Sequence, residues 1–311
     1  MEVMTIILIK LINIIMMVFL PFIMLGIIKK TKAFFAGRKG VRVMQPFFDF
    51  LRLIKKEPVI SKTTSFVFSL APAIVLASCI FAGFFVPMAG GYNILQAGFD
   101  FVVFAYILGL GKFFSLIAAM DTGSSFEGMG ASREACFTTI IEPAFFIILA
   151  SISVAAGFCN FANLNVFWAH KSILMLCIAI LTVLALFIMI LVECSRVPFD
   201  DPTTHLELTM VHEVMILDNS GIDLAFLTWA SGIKMFLISA LIATVIIPFQ
   251  LPYAVSLLAF LAVIFLVAIG VGVVESGIAR FRMSHLFEFV FTMSAAALII
   301  LALVAIKVYG G

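Results

Sequence analysis

The chain has 311 residues, of which 64% are hydrophobic and 12% charged, with a mean hydropathy of +1.26 and a formal net charge of +2. A soluble core of this composition would leave apolar surface uncovered, so the solvent is a bilayer and a soluble enzyme is excluded. Cysteines at 79, 136, 159, 177 and 194 show no C-x-x-C spacing, which excludes a disulfide framework or a metal knuckle.

Eight apolar runs are long enough to cross about 30 Å of hydrocarbon at about 1.5 Å per residue. Their limits are 3–28, 65–87, 99–120, 136–158, 172–195, 226–248, 253–274 and 286–308. The first run lacks a basic leader and a small-residue cleavage site, so it reads as a retained span. The fold class expected is an all-α integral membrane protein, a single polytopic domain over 1–311.

The segment 29–62 carries ten Lys and Arg residues. With eight spans, 121–135, 196–225 and 275–285 fall on the same side and add Arg133, Arg196, Arg280 and Arg282, against Lys171 and Lys307 on the other. The positive-inside rule places the basic side in the cytoplasm and both termini outside. The elaborate loops are all on that side, as expected if a partner docks there.

Within the first loop, RKGVRVMQPFFDFLRLIKKE sets Gln45-Pro46 ahead of Asp49 and Arg52 at i,i+3, among Phe47, Phe48, Phe50 and Leu51. A segment that only adhered to anionic lipid would not require Gln-Pro or an acid there, so it reads as shaped for a protein surface. The third span ends in DTGSSFEGMGASRE, whose three glycines permit close backbone approach. The G-x-x-x-x-G-K-[ST] phosphate-loop pattern is absent. Ser132-Arg133-Glu134 is expected to open the fourth span, with Glu134 favoured at the positive helix end.

Glu142 lies inside that span, where a lone carboxylate costs on the order of 2.5–3.5 kcal/mol. It is either satisfied beside Pro143 or part of an ion path. Lys112 and Lys234 sit at similar depth, and Glu193 closes the fifth span at i,i+3 from Arg196. Lys112, Glu142, Glu193 and Lys234 all fall in the cytoplasmic halves of spans three to six, which points to one hydrated polar cluster rather than four separate snorkelling side chains.

The stretch ECSRVPFDDPTTHLELTMVHEVMILDNSG, Glu193–Gly221, concentrates acids between two apolar runs: Glu193, Asp200, Asp201, Glu207, Glu213 and Asp218. Pro198 and Pro202 require extended or turned backbone around Phe199-Asp200-Asp201. Thr204-His205-Leu206-Glu207 fits a capping box, so a helix over about 205–217 is expected, with His205, Thr209, His212 and Glu213 on one face. Glu207 serves either as that cap or, on the apolar stripe, as a proton relay. His205 and His212 are too far apart along a helix to share a metal. The sequence shows no haem ligand within a span, no cysteine set for an iron–sulfur cluster and no nucleotide motif. It carries no electrons by itself.

These motifs together resemble the membrane subunit of energy-converting nickel–iron hydrogenases, the formate hydrogenlyase subunit 4 type, which is homologous to complex I subunit 1. The resemblance rests on R-x-G followed by QPFFD and KKE, on DTGSSFEGMGASREA, on Ile141-Glu142-Pro143 and on ECSRVPFDDPTTHLEL. It spans essentially the whole chain. It implies a non-redox subunit that docks a cytoplasmic arm and couples electron transfer to H+ or Na+ translocation in the inner membrane of a prokaryote.

Nickel–iron and iron–sulfur centres are then expected in the partners and none in this chain. The implied partners are the hydrogenase large subunit, the iron–sulfur small subunit and antiporter-like membrane subunits, with the lipid bilayer and no nucleic acid. The implied ion path comprises Lys112, Glu142, Glu193, Glu207, Lys234, Asp200 and Glu213. The implied docking residues are Arg38, Gln45, Pro46, Asp49, Arg133, Glu134, Arg196, Pro198 and Phe199. The chain departs from the family at Val41, where proline is usual, and from complex I at Thr203 and His205, where glutamates cluster. The second departure favours a complex that works without quinone. The alternatives are a quinone-binding complex I subunit, a stand-alone transporter and a structural anchor.

Overall fold

The computed structural model of the chain describes residues 2–95, 98–156, 161, 172–201, 209–248 and 250–309. Among them every regular element is helical. The order is α1 (Glu2–Phe35), α2 (Gln45–Ile54), α3 (Phe66–Gly83), a 3-10 turn (Ala89–Gly91), α4 (Asp100–Asp121), α5 (Ser125–Ala156), α6 (Ile173–Glu193), α7 (His212–Met215), α8 (Gly221–Ile246), α9 (Tyr253–Gly277) and α10 (Met283–Tyr309). Eight of these, all but α2 and α7, are long and apolar enough to cross a membrane.

Pro21, Pro72 and Pro143 lie inside α1, α3 and α5, and the helices continue through them. In hydrocarbon, breaking a helix would strand many backbone polar groups, whereas a proline removes one bond. The helix α8 is the hub: it packs against α1, α2, α3, α6 and α9. Ala225, Ala230, Gly232, Ser239, Ala240 and Ala243 are all buried along it. Small residues of this kind let neighbouring backbones approach where lipid supplies no hydrophobic drive.

The connections at one end converge. The Val59 amide donates to Ser220 Oγ at 2.7 Å, Thr63 Oγ1 to the Thr122 carbonyl at 3.0 Å and the Ser65 amide to Asp121 at 2.7 Å. The Phe281 amide reaches the Pro198 carbonyl at 3.1 Å. This end holds the basic segments and is called the basic face below. At the other end, Lys10 donates to the Ile94 carbonyl at 3.0 Å, Asn13 to the Tyr92 carbonyl at 2.9 Å and the Gly90 amide to Ser256 at 2.7 Å.

Two local expectations are corrected. α5 begins at Ser125, not near residue 136, so most of DTGSSFEGMGASRE is helix and the turn is confined to the residues around Gly123, at φ 68°. Glu134 therefore sits well inside α5 instead of at its positive end. Of the helix expected over 205–217, residues 205–208 lie outside the described set, and in the remainder only His212–Met215 are helical. The backbone there is held from outside, as the site geometry below makes clear.

Candidate functional site: a row of buried charges under the central loop

A buried polar cluster is built by α4, α5, α6 and α8. Lys112 on α4 lies 2.6 Å from Glu193 Oε1 and 3.2 Å from Glu134 Oε1, and Lys234 on α8 lies 3.3 Å from Glu193 Oε2. All four side chains are at most 16% exposed. Two ammonium groups face two carboxylates, which is how ions survive away from water; removing one member of such a set costs about 3–5 kcal/mol.

Glu193 thus pairs with two lysines and not with Arg196, as its i,i+3 spacing suggested. The helix α6 stops at Glu193, and Ser195 takes a left-handed φ of 50°, which turns Arg196 off the helix face. Arg196 instead lies 3.4 Å from Glu275.

Three cavities run inward from the loop and share their walls. The outermost, about 300 Å3, is lined by Lys32, Asp49, Arg196, Glu213, Glu275 and Trp229 among others, and His212 and Ser231 form part of its wall. His212 and Ser231 also line the second cavity, about 30 Å3, together with Glu134, Lys112, Glu193 and Lys234. Lys112, Glu193 and Lys234 in turn line the third, about 40 Å3, whose far side is Glu142. Each small cavity admits a few waters, since one water needs about 10–15 Å3. The ion pairs form the partition between the Glu134 side and the Glu142 side.

The loop above is clamped by buried carboxylates. Asp200 Oδ2 accepts from the Val211 and His212 amides at 2.9 and 3.0 Å, and Oδ1 accepts from the Asp201 amide at 2.9 Å and pairs with Arg280 at 2.9 Å. Arg280 also donates to Thr209 Oγ1 at 3.1 Å and to the Thr209 carbonyl. Asp200 is fully buried and bonded on both oxygens, so its geometry is that of a loop clamp. From below, Arg133 donates to the Met210 carbonyl at 2.9 Å, and Gly130 lets α5 pass under Val211 and Val214. Glu213 faces the large cavity, where burial raises its pKa; Asp200 adds to the rise, while His212 and Arg196 oppose it. Glu207 lies outside the described residues.

The residues assigned to docking divide. Arg38 is exposed on the basic face. Gln45 donates to Asp49 at 2.8 Å and Asp49 lies 4.0 Å from Arg52, both on α2. Phe199 is corrected: it is 0% exposed, with its ring 4.9 Å from that of Phe137, so it packs the loop onto α5 and offers no surface. Pro46 is likewise buried where α2 meets the helix bundle, and Glu134 belongs to the ion row. Arg133 and Pro198 are spent on intramolecular bonds to Met210 and Phe281.

Three functional candidates escaped the sequence reading. Glu275 has a 1% exposed side chain and bridges Lys32 of α1, at 3.0 Å, to Arg196. It lay beyond the expected end of its span at 274, yet an acid in a helix's last turn opposes the helix dipole and calls for a cation, which was a readable signal. Glu127, fully buried in the first turn of α5, accepts from the Asp218 amide at 2.9 Å. Arg280 holds Asp200, a pairing across a long sequence separation that spacing could not reveal. No group of three or more His, Cys, Asp or Glu among the described residues is arranged to hold a metal.

Comparison with known proteins gives a consistent picture. The sequence pattern of the NADH dehydrogenase family matches residues 7–306. Hydrogenase-4 component C of Escherichia coli (strain K12) is 26% identical over 268 residues, covering 83% of this chain and 82% of that protein. Formate hydrogenlyase subunit 4 of the same organism is 26% identical, covering 83% and 85%. NADH-ubiquinone oxidoreductase chain 1 of Triticum aestivum is 29% identical, covering 68% and 66%. In three dimensions, a chain of the membrane-bound sulfane sulfur reductase, an archaeal respiratory membrane complex, superposes with TM-score 0.80 at 20% identity, covering 96% of this chain and 99% of that one. That likeness establishes the fold.

Proposed function

Because the chain belongs to the NADH dehydrogenase (complex I subunit 1) family, we propose that it is the non-redox coupling subunit of an energy-converting hydrogenase complex in a prokaryotic inner membrane. In this reading its basic face is cytoplasmic and receives the nickel–iron and iron–sulfur subunits, while antiporter-like subunits adjoin it in the membrane. The observation that carries the coupling role is the row of three cavities separated by His212 and then by the Lys112–Glu193–Lys234 partition, ending at Glu142.

The mechanism follows from the clamps. Redox change in the docked arm moves the central loop, which Asp200 closes on itself and which Arg133 and Glu127 tie to α5. A shift of His212 and of α5 changes the distance from Glu134 to Lys112. Lys112 then redistributes between Glu134 and the Glu142 side, and protonation follows charge. The ions involved are mobile only in this coupled sense, since each buried charge needs a partner at every step.

The test is Glu142→Gln in the intact complex reconstituted in vesicles. Donor oxidation with hydrogen evolution is expected to persist while ion uptake falls to background. Unchanged ion uptake would remove Glu142 from the path.

A second reading, a quinone-binding complex I subunit, is favoured by one observation: the cavity of about 300 Å3 is walled by Phe22, Leu25, Ile28, Phe50 and Trp229, with Arg196 and Glu213 at its polar side. Its size is at the lower end for a ligand pocket. Metal analysis of the complex purified through a tag on this chain separates the two. Nickel with quinone-independent hydrogen evolution supports the first reading, and iron without nickel plus quinone-dependent turnover supports the second.

A further inference from the structure

The connection between α1 and α3 holds a groove that the coupling row does not use. One face of α2 turns inward: the Phe47 ring lies 6.1 Å from Phe19 and 5.4 Å from Phe22, and the Phe50 ring lies 5.2 Å from Phe22 and 5.0 Å from Trp229. Gly26 lies directly beneath the Val43 carbonyl, where an added Cβ would come within 1.8 Å of the oxygen. Phe19, Phe22 and Gly26 belong to the apolar run of α1, and along the helix they precede Lys29 by roughly 15, 10 and 5 Å. The helix α2 therefore does not rest above the bilayer. It lies at the depth of the leaflet on the basic face.

Its other face is open. Phe48 and Leu51, one helical turn apart, are 48% and 39% exposed. With Arg42, Gln45, Arg52 and Lys55 they line a single groove of about 390 Å3. Asp49, at 4.0 Å from Arg52, offsets one of the three cations, leaving a net positive groove with an apolar floor at leaflet depth.

We propose that this groove binds one anionic phospholipid of that leaflet, its phosphate held by Arg42, Arg52 and Lys55 and an acyl chain laid along Phe48 and Leu51. Arginine forks match phosphate geometry, and their aliphatic stems tolerate the apolar boundary while the charge reaches the headgroups. Two features favour a lipid over a protein occupant: the depth of α2 against Phe19, Phe22 and Gly26 of α1, and exposed Phe and Leu beside a net positive charge. A zwitterionic lipid carries the same phosphate, but its own cation is repelled by the groove.

The experiment is native mass spectrometry of the purified complex, delipidated and then titrated with phosphatidylglycerol or phosphatidylcholine in detergent. Phosphatidylglycerol is expected to bind at one site that the combined Arg42→Gln, Arg52→Gln, Lys55→Gln variant weakens by on the order of 100-fold, about fivefold per basic residue. The charge-preserving pair Arg42→Lys, Arg52→Lys controls for folding and should bind within about tenfold of native. Equal retention of phosphatidylcholine, or undiminished phosphatidylglycerol binding by the glutamine variant, overturns the proposal. So does protection of a Phe48→Cys thiol that depends on the water-soluble subunits and not on lipid, which would assign the groove to a subunit. None of these outcomes depends on whether ions are pumped.

Discussion

Glu193 commits both of its oxygens to lysines on different helices. Glu193→Gln leaves Lys234 without its carboxylate and Lys112 with Glu134 alone. The expected loss is about 3–5 kcal/mol, read as a lower unfolding temperature of the complex in detergent. Adding Lys234→Met should restore a large part of it, since the orphaned charge is then gone; no restoration would mean that the uncompensated Lys234 charge is not the source of the loss. Glu213 contributes a pH dependence. Burial raises its pKa, so the folded chain holds the proton more tightly than the unfolded one. Its contribution to stability is complete below the unfolded value of about 4.3 and is lost as pH rises through the raised folded value. Glu213→Gln should flatten the stability profile across that window, as measured by thermal unfolding at stepped pH.

At the scale of elements, two helix crossings depend on the absence of a side chain. At Gly130 a Cβ would come within 2.2 Å of Val214 and 3.0 Å of the Val211 carbonyl. Gly130→Val should push α7 off α5 and cost about 1–3 kcal/mol. The measurable consequence is faster proteolysis within the 209–220 segment. At Gly26 the obstruction is backbone, the Val43 carbonyl, which cannot rotate away. Gly26→Ala is expected to lift α2 from α1 and to expose Phe47 and Phe50, detectable as increased labelling of a Phe50→Cys thiol. Native labelling in that variant would show that the crossing has slack.

For the molecule as a whole, the eight spans gather the basic segments on one face and leave Lys10 and Lys307 toward the other end. With the basic face in the cytoplasm, single cysteines at Lys39 and Lys62 should be inaccessible to an impermeant thiol reagent added to intact cells. They should become reactive in inverted vesicles. Reaction in intact cells would invert the topology and move the basic face to the other side of the membrane. The architecture also places the row of buried charges centrally: α8 carries Lys234 and packs against five neighbouring helices, so motion at the loop reaches several spans through one packed element.

The number of spans, the side that carries the basic residues and the gathering of Lys112, Glu142, Glu193 and Lys234 at similar depth were all legible in the sequence. Hydropathy and axial position accumulate residue by residue along a helix, with no knowledge of its neighbours. Which acid meets which base was not legible. That Glu193 takes Lys112 and Lys234 while Arg196 takes Glu275, that Glu134 lies inside α5, that Phe199 is core and that α2 sinks to the level of Phe19 all depend on helix rotation and crossing geometry. Those are set by packing between segments far apart in the chain, through contacts such as Gly26 on Val43 and Gly130 on Val211. A linear pattern records which residues occupy a given depth, and only the tertiary structure decides which of them share a face.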